Sequence, residues 1–331
     1  MHVAVIGAGS WGTAVAWLLD QKGHEVSMWA REEEIAQAIT KDHRNPTYLP
    51  DVKFSERVTA SSHMEEVLRN VEAAVMVTPS IGVRSTAELM KPFIKAETPI
   101  VILSKGVEGH TSMLMTDVLE DVLGNPERIA GLSGPNHAEE VSRGIPSATV
   151  VASRNYATAA FFQELFTTNF FRVYTNDDVV GVEMCGAGKN IVAIACGMVD
   201  GLGMGDNTKA SLMTRGLAEL ARLGEVMGAN PMTYMGLAGM GDLIVTCTSK
   251  HSRNRALGEL IAQGGTLEEF EAKTKMVAEG AVACKTIHEL AQKKGIELPL
   301  TEVVYKILYE GHSPREAAEY LMERPTRKEH S

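Results

Sequence analysis

Residues 3–12 read Val-Ala-Val-Ile-Gly-Ala-Gly-Ser-Trp-Gly. An apolar, β-rich run feeds Gly7, Gly9 and Gly12, and a helical stretch from Thr13 to Leu19 follows at once. This G-x-G-x-x-G spacing between a strand and a helix constrains the fold more than any other feature of the chain. Gly7 suits a tight turn, Gly9 lets backbone approach a pyrophosphate, and Gly12 lets helix and strand pack closely. The helix N-terminus beyond them offers N–H groups and the positive end of a dipole to phosphate. Dinucleotide binding is therefore expected, with a merely structural glycine-rich turn as the alternative.

The rest of the first half supports that expectation. Strand patterns fall at 2–6, 25–30, 73–77, 99–103, 129–132 and 147–151, with a last one at 171–174. Helical patterns lie between them, at Glu32–Thr40, Val83–Met90 and Met113–Leu123 among others. Alternating strands and helices predict a mostly parallel, doubly wound α/β sheet of Rossmann type, with helices on both faces. From about Val179 the pattern is nearly all helical, broken by glycine-rich stretches at 197–207 and 236–243. The expected division is a dinucleotide-binding domain over 1–180 and an all-α substrate and catalytic domain over 181–331. The polar tail from Arg324 is expected to fray.

Composition narrows the partners. The chain has 331 residues, long for one domain, and a net charge of −10. That charge argues against nucleic acid or an anionic membrane surface as a partner. Positive charge for a phosphate must then be gathered locally. Cys185, Cys196, Cys247 and Cys284 are far apart in sequence and form no C-x-x-C, so reduced thiols in a cytoplasmic protein are expected, with no metal site. The apolar start lacks the basic segment of a signal peptide. No uninterrupted apolar run has the length of a membrane span.

Several polar residues stand where a doubly wound sheet places its ligands, beyond the carboxyl ends of strands. Arg31 follows the second strand, where a carboxylate usually binds the ribose hydroxyls. An arginine there suits a 2′-phosphate, so NADPH is favoured, while Glu32 keeps NAD open. Lys105 follows the apolar run Ile100–Leu103, and Ser133-Gly134-Pro135-Asn136-His137-Ala138 turns from a strand into a helix. Lys189 and Asn190 open the apolar run Ile191–Cys196. Burial there would lower the lysine's pKa toward neutral and allow proton exchange. Asp242, in an apolar stretch, requires a partner, and a lysine is the obvious one. Ser252, Arg253 and Asn254 precede a helix and suit a phosphate monoester. A plain helix cap with surface arginines is the alternative there.

Together these segments resemble the bacterial-type NAD(P)-dependent glycerol-3-phosphate dehydrogenases. The resemblance rests on Gly-Ala-Gly-Ser-Trp-Gly-Thr-Ala at 7–14, Leu-Ser-Lys-Gly at 103–106, Ser-Gly-Pro-Asn-His-Ala-Glu-Glu-Val at 133–141 and Gly-Lys-Asn-Ile-Val-Ala-Ile-Ala at 188–195. Gly-Asp-Asn at 205–207, Gly-Leu-Ala-Gly-Met-Gly-Asp-Leu at 236–243 and Ser-Arg-Asn-Arg at 252–255 complete it. It covers essentially the whole chain. It implies reversible reduction of dihydroxyacetone phosphate to sn-glycerol 3-phosphate, feeding phospholipid synthesis. It implies Lys189 as proton donor and acceptor, Lys105 at the substrate, and Asp242 supporting both lysine and substrate hydroxyl. Asn190, Thr246, Gly134 and Asn136 would complete the polar pocket, and Ser252, Arg253 and Asn254 would hold the phosphate. Besides the three glycines, Ser10, Trp11, Arg31, Lys105, Ala138, Arg253, Val277 and Glu279 would contact NADP or NAD. Asn136 and His137 depart from the commoner Ser and Phe of the family. A homodimer is one assembly open to such an enzyme.

Two rival functions share parts of this pattern. A dehydrogenase of β-hydroxy acids would keep the fold and a catalytic lysine, yet would not need Ser252-Arg253-Asn254 as an anion cradle. A nucleotide-sensing module would keep the glycine turn without pairing Lys189 and Asp242.

Overall fold

The apolar run near the start becomes the central strand of a large sheet. The computed structural model describes residues 1–274, 277–326, 328 and 329. Its strands are β1 (His2–Ile6), β2 (Glu25–Trp29), β3 (Val58–Ser61), β4 (Ala73–Met76), β5 (Ile100–Ile102), β6 (Ile129–Ser133), β7 (Ser147–Ser153) and β8 (Phe171–Asn176). They form one sheet in the order β3-β2-β1-β4-β5-β6-β7-β8. β1 pairs in parallel with β2 and β4, setting Ile6 beside Trp29 and Met76. β7 runs antiparallel to β6, and β8 returns parallel to β7. The expected mostly parallel, doubly wound sheet is thus present. The sequence reading lacked β3, which pairs only with β2 and so forms a sheet edge. Its side chains are partly solvated, so it carries no continuous apolar run.

Side-chain alternation along β1 explains why both faces are covered. Val3 and Val5 join a core with Val15, Leu18 and Leu19 of the helix Ser10–Gln21 and with Phe162 and Phe166 of Tyr156–Phe166. Ala4 and Ile6 point the other way, into a core with Val83, Ala87 and Met90 and with Met115, Val118 and Leu119. Strands buried on both faces read as unbroken apolar runs, as these do.

After β8, Asp178 accepts the Gly181 N–H at 2.9 Å and starts the helix Val179–Leu202. This helix is buried nearly all round and is the axis of the helical part. It is also the one described helix long and apolar enough to cross a membrane, but 94% of that window lies inside the fold. Glu183, Lys189 and Asn190 interrupt its apolar run without ending the helix. The same helix corrects two expectations. Lys189 lies in its middle rather than at its mouth. Gly197 and Gly201 do not break it, and the chain turns only at Gly203. These glycines let helices touch. A Cβ at Gly197 would lie 1.9 Å from the Arg255 carbonyl oxygen, so the helix Arg253–Ala262 packs backbone against backbone there.

Candidate active site

The glycine turn is built as its spacing predicts. Gly7 has φ +122°, and a Cβ on Gly12 would sit 1.9 Å from the Gly7 carbonyl oxygen, so neither position accepts a side chain. A Cβ on Gly9 would meet nothing within 4 Å. The first turn of Ser10–Gln21 carries no side-chain cap. Bare backbone facing open space at an uncapped helix N-terminus fits a dinucleotide pyrophosphate. Trp11 is partly buried there and packs against the core of that face. Asn45, which the sequence did not single out, fixes the turn from behind. Its buried amide donates to the Ala8 carbonyl at 2.8 Å and to Thr13 Oγ1 at 2.9 Å. Arg31 stands past β2 with its side chain 82% exposed, paired to Glu32 at 2.9 Å. Exposed pairs of this kind are weak, so the guanidinium is available to a ligand.

The loops beyond β4 and β5 lie against each other. Ser104 donates its hydroxyl to the Thr78 carbonyl, and a Cβ on Gly106 would strike Ser80 at 2.6 Å. This packing aims Lys105 toward the helical part, where it meets Asp242. Lys105 Nζ donates to Asp242 Oδ2 at 2.6 Å, and Lys189 Nζ donates to Oδ1 of the same carboxylate. Lys189 also donates to Thr246 Oγ1 at 2.7 Å, whose hydroxyl donates to the Asp242 main-chain carbonyl at 2.6 Å. Asp242 begins the helix Asp242–Thr248 directly after a π-helical turn, Leu237–Gly241, so the second glycine-rich stretch ends in helix rather than loop. Thr246 follows one turn later, on the same face.

Two ammonium groups and one carboxylate share a buried space, so the centre carries excess positive charge. Burial pushes the Lys189 ammonium down to about 8, and neighbouring Lys105 adds to the fall while Asp242 opposes it. Burial alone would raise the Asp242 carboxyl, but Lys105 and Lys189 outweigh it and hold it below the usual carboxylate range. A lysine that releases its proton near pH 8 beside a permanent carboxylate can act as an acid in one direction and a base in the other.

The segment 133–141 closes one wall. The Gly134 carbonyl accepts from Lys105 Nζ at 3.5 Å, and Thr149 leaves no room there for a Cβ. Asn136 is buried, its amide donating to Thr149 Oγ1 at 3.2 Å. Ala138 is buried at the start of the short helix Ala138–Val141. The His137 ring is half-buried and its basicity falls, first through desolvation and then through nearby Lys189. Asn190 is buried next to Lys189.

Arg253, Asn254, Phe270, Val277, Ala278 and Glu279 line a recess. Ser252 caps the helix Arg253–Ala262, its hydroxyl accepting the Arg255 N–H at 3.3 Å. Asn254 Oδ1 accepts the Gly280 N–H at 3.0 Å. Both residues therefore carry local structural bonds as well as their proposed ligand role. Arg255 is committed elsewhere, to Asp200 and Glu259. Arg253 is exposed at the recess. Glu279, partly buried, lines this recess beside Arg253. Burial raises its pKa against the pull of Arg253 and Lys105.

A glycine turn for a dinucleotide beside a desolvated lysine–carboxylate centre is chemistry for hydride and proton exchange at a small carbonyl or alcohol. Comparison with known proteins gives that chemistry its class. Residues 2–159 match the family described as NAD-dependent glycerol-3-phosphate dehydrogenase N-terminus, and 178–319 match its C-terminus. A glycerol-3-phosphate dehydrogenase [NAD(P)+] of Moorella thermoacetica is 48% identical, over 98% of this chain and 96% of that one. One from Halalkalibacterium halodurans is 46% identical, over 99% and 95%. The crystal structure of the Coxiella burnetii glycerol-3-phosphate dehydrogenase superposes with TM-score 0.93 at 40% identity, covering 98% of this chain and 99% of that one. The chain belongs to the NAD-dependent glycerol-3-phosphate dehydrogenase family, and it is an oxidoreductase that uses NAD or NADP.

Proposed function

We propose that this chain interconverts dihydroxyacetone phosphate and sn-glycerol 3-phosphate, with Lys189 as the general acid and base. The observation that carries this reading is one buried carboxylate, Asp242, holding Lys189 and Lys105 by separate oxygens. When bound, the reduced nicotinamide supplies a hydride to the carbonyl carbon. Lys189 gives its Nζ proton to the oxygen as negative charge develops there, and takes it back in the reverse direction. Lys105 adds a second ammonium at that oxygen. Asp242 keeps both cations in place in a site too dry to hold them unpaired. The surplus positive charge favours an anionic substrate.

Gly134, Asn136, Asn190 and Thr246 are assigned to the polar wall of the pocket. Ser252, Arg253 and Asn254 are assigned to the substrate phosphate, fixing the carbonyl by a remote anchor. Gly7, Gly9, Ser10, Trp11, Gly12, Arg31, Lys105, Ala138, Arg253, Val277 and Glu279 are assigned to the cofactor. Residues 1–180 would serve the cofactor and 181–331 the substrate. The reading places the enzyme in the cytoplasm, supplying a phospholipid precursor, with a homodimer as the assembly to test. Its substrate is tested with dihydroxyacetone phosphate as sole acceptor. Oxidation of NADPH is expected, and oxidation only with a β-keto acid would reverse the assignment.

Two further results follow from the site. Reduction needs Lys189 protonated, and its folded pKa is lowered to about 8. The kcat/KM for reduction therefore falls by about tenfold per pH unit above that value, while oxidation loses rate below it. Asp242, held low, stays ionised throughout. A reduction profile flat from neutral pH to well above 8 would remove Lys189 as the acid. Arg31→Asp replaces a bidentate donor with a repelling carboxylate. It is expected to weaken NADPH by about 10- to 100-fold and NADH much less. Equal losses for both cofactors would make Arg31 a general structural residue.

A further inference from the structure

Gly186 lies three residues before Lys189 in the helix Val179–Leu202, so both positions face one side of it. Its backbone does not need glycine. The residue is helical and is not among the glycines with positive φ, and alanine is the better helix former. What it needs is space. A Cβ there would lie 2.9 Å from Ser133 Oγ, 3.3 Å from Lys105 Cγ and 3.5 Å from Lys105 Cδ. The neighbouring Gly188 differs, since the nearest atoms to its Cβ would all belong to the core side chain of Leu220.

Ser133 ends β6 and is buried. Its hydroxyl donates to Asp242 Oδ2 at 3.3 Å, the oxygen that also accepts from Lys105 Nζ at 2.6 Å. The bare backbone at 186 is thus the floor of a slot. The Lys105 stem and the Ser133 hydroxyl pass over it to reach the same carboxylate oxygen. We infer that Ser133 and Gly186 are positioning residues for the reaction, setting the pose in which Lys105 and Asp242 flank Lys189. The inference rests on the assignment of Lys189, Lys105 and Asp242 given above.

Its geometry makes the two residues act through one contact. Alanine at 186 turns the Ser133 hydroxyl away from Asp242 and pushes the Lys105 stem aside. Alanine at 133 removes the hydroxyl directly. Each single variant is expected to lower kcat/KM for dihydroxyacetone phosphate by about tenfold, the weak end for a lost hydrogen bond to a charged group. The Kd for NADPH, read by fluorescence titration, should not change in Ser133→Ala, which also reports an intact fold, and should change only a few-fold in Gly186→Ala, where Lys105 is one of many cofactor contacts. The double variant should fall little below the worse single, because the hydroxyl that Gly186→Ala displaces is already absent. Gly186→Ala should also move the alkaline limb of the reduction profile upward, since a displaced Lys105 no longer presses the Lys189 proton off. Singles at the wild-type rate, or a double at about the product of the singles with the limb unmoved, would overturn the inference. A Lys189→Ala enzyme near normal turnover would instead overturn the assignment beneath it.

Discussion

Lys189→Ala is expected to lower kcat by about 10²- to 10⁴-fold, the usual loss for a missing general acid. The ammonium stands in the middle of a buried helix, held by Asp242 Oδ1 and Thr246 Oγ1, while Lys105 and Ser133 donate to the other carboxylate oxygen, Oδ2. Cofactor affinity should survive, because the glycine turn at Gly7–Gly12 belongs to the sheet and shares no hydrogen bond with this centre. NADPH binding by fluorescence together with stopped-flow turnover separates the two effects. Near-normal turnover with normal binding would end the assignment of Lys189 as acid and base.

Arg253→Ala is the second large effect. The residue is exposed at the N-terminus of a helix whose first N–H groups and dipole favour an anion. Its guanidinium can make two charge-assisted hydrogen bonds to one phosphate, each worth roughly 1.5–3 kcal/mol. The loss in kcat/KM for dihydroxyacetone phosphate should reach about 10²-fold or more. Unphosphorylated dihydroxyacetone, which cannot use the contact, should lose far less. Because Arg253 shares its recess with Val277 and Glu279, some NADPH affinity should fall as well, so the comparison belongs at saturating cofactor. An unchanged ratio between the two substrates would place the phosphate elsewhere and favour a β-hydroxy-acid substrate.

The sheet was legible because its inner strands, such as β1, β4 and β5, are buried on both faces and so appear as apolar runs between helices. β3 was not, since an edge strand with solvated side chains carries no such run. The glycine turn was legible down to its individual positions, because spacing and neighbours together specify one local geometry. The glycines of the long helix were misleading for a physical reason. At Gly197 the missing Cβ admits a neighbouring backbone, and at Gly188 it admits Leu220, so glycine there marks contact rather than a break. That misplaced Lys189 at a helix mouth, although burial and a lowered pKa were correctly anticipated.

Pairing was harder to read than placement. Asp242 called for a lysine on chemical grounds, yet the sequence held no signal that it would bridge two, one from each part of the chain. Asn45 and Ser133 act through tertiary hydrogen bonds, which leave no pattern in a linear sequence. Glu279 was reached only through resemblance, and it lines the recess beside Arg253 without a sequence signal of its own.

The central claim is direct hydride transfer to dihydroxyacetone phosphate at the centre built on Lys189, Lys105 and Asp242. Reduced cofactor carrying deuterium at the transferring position of the nicotinamide tests it most directly. The account predicts sn-glycerol 3-phosphate with one deuterium at C2 from the wild-type enzyme, and formation of that product slowed by about 10²-fold or more in Lys189→Ala. Product without deuterium at C2, or no product while the cofactor is consumed, would contradict it.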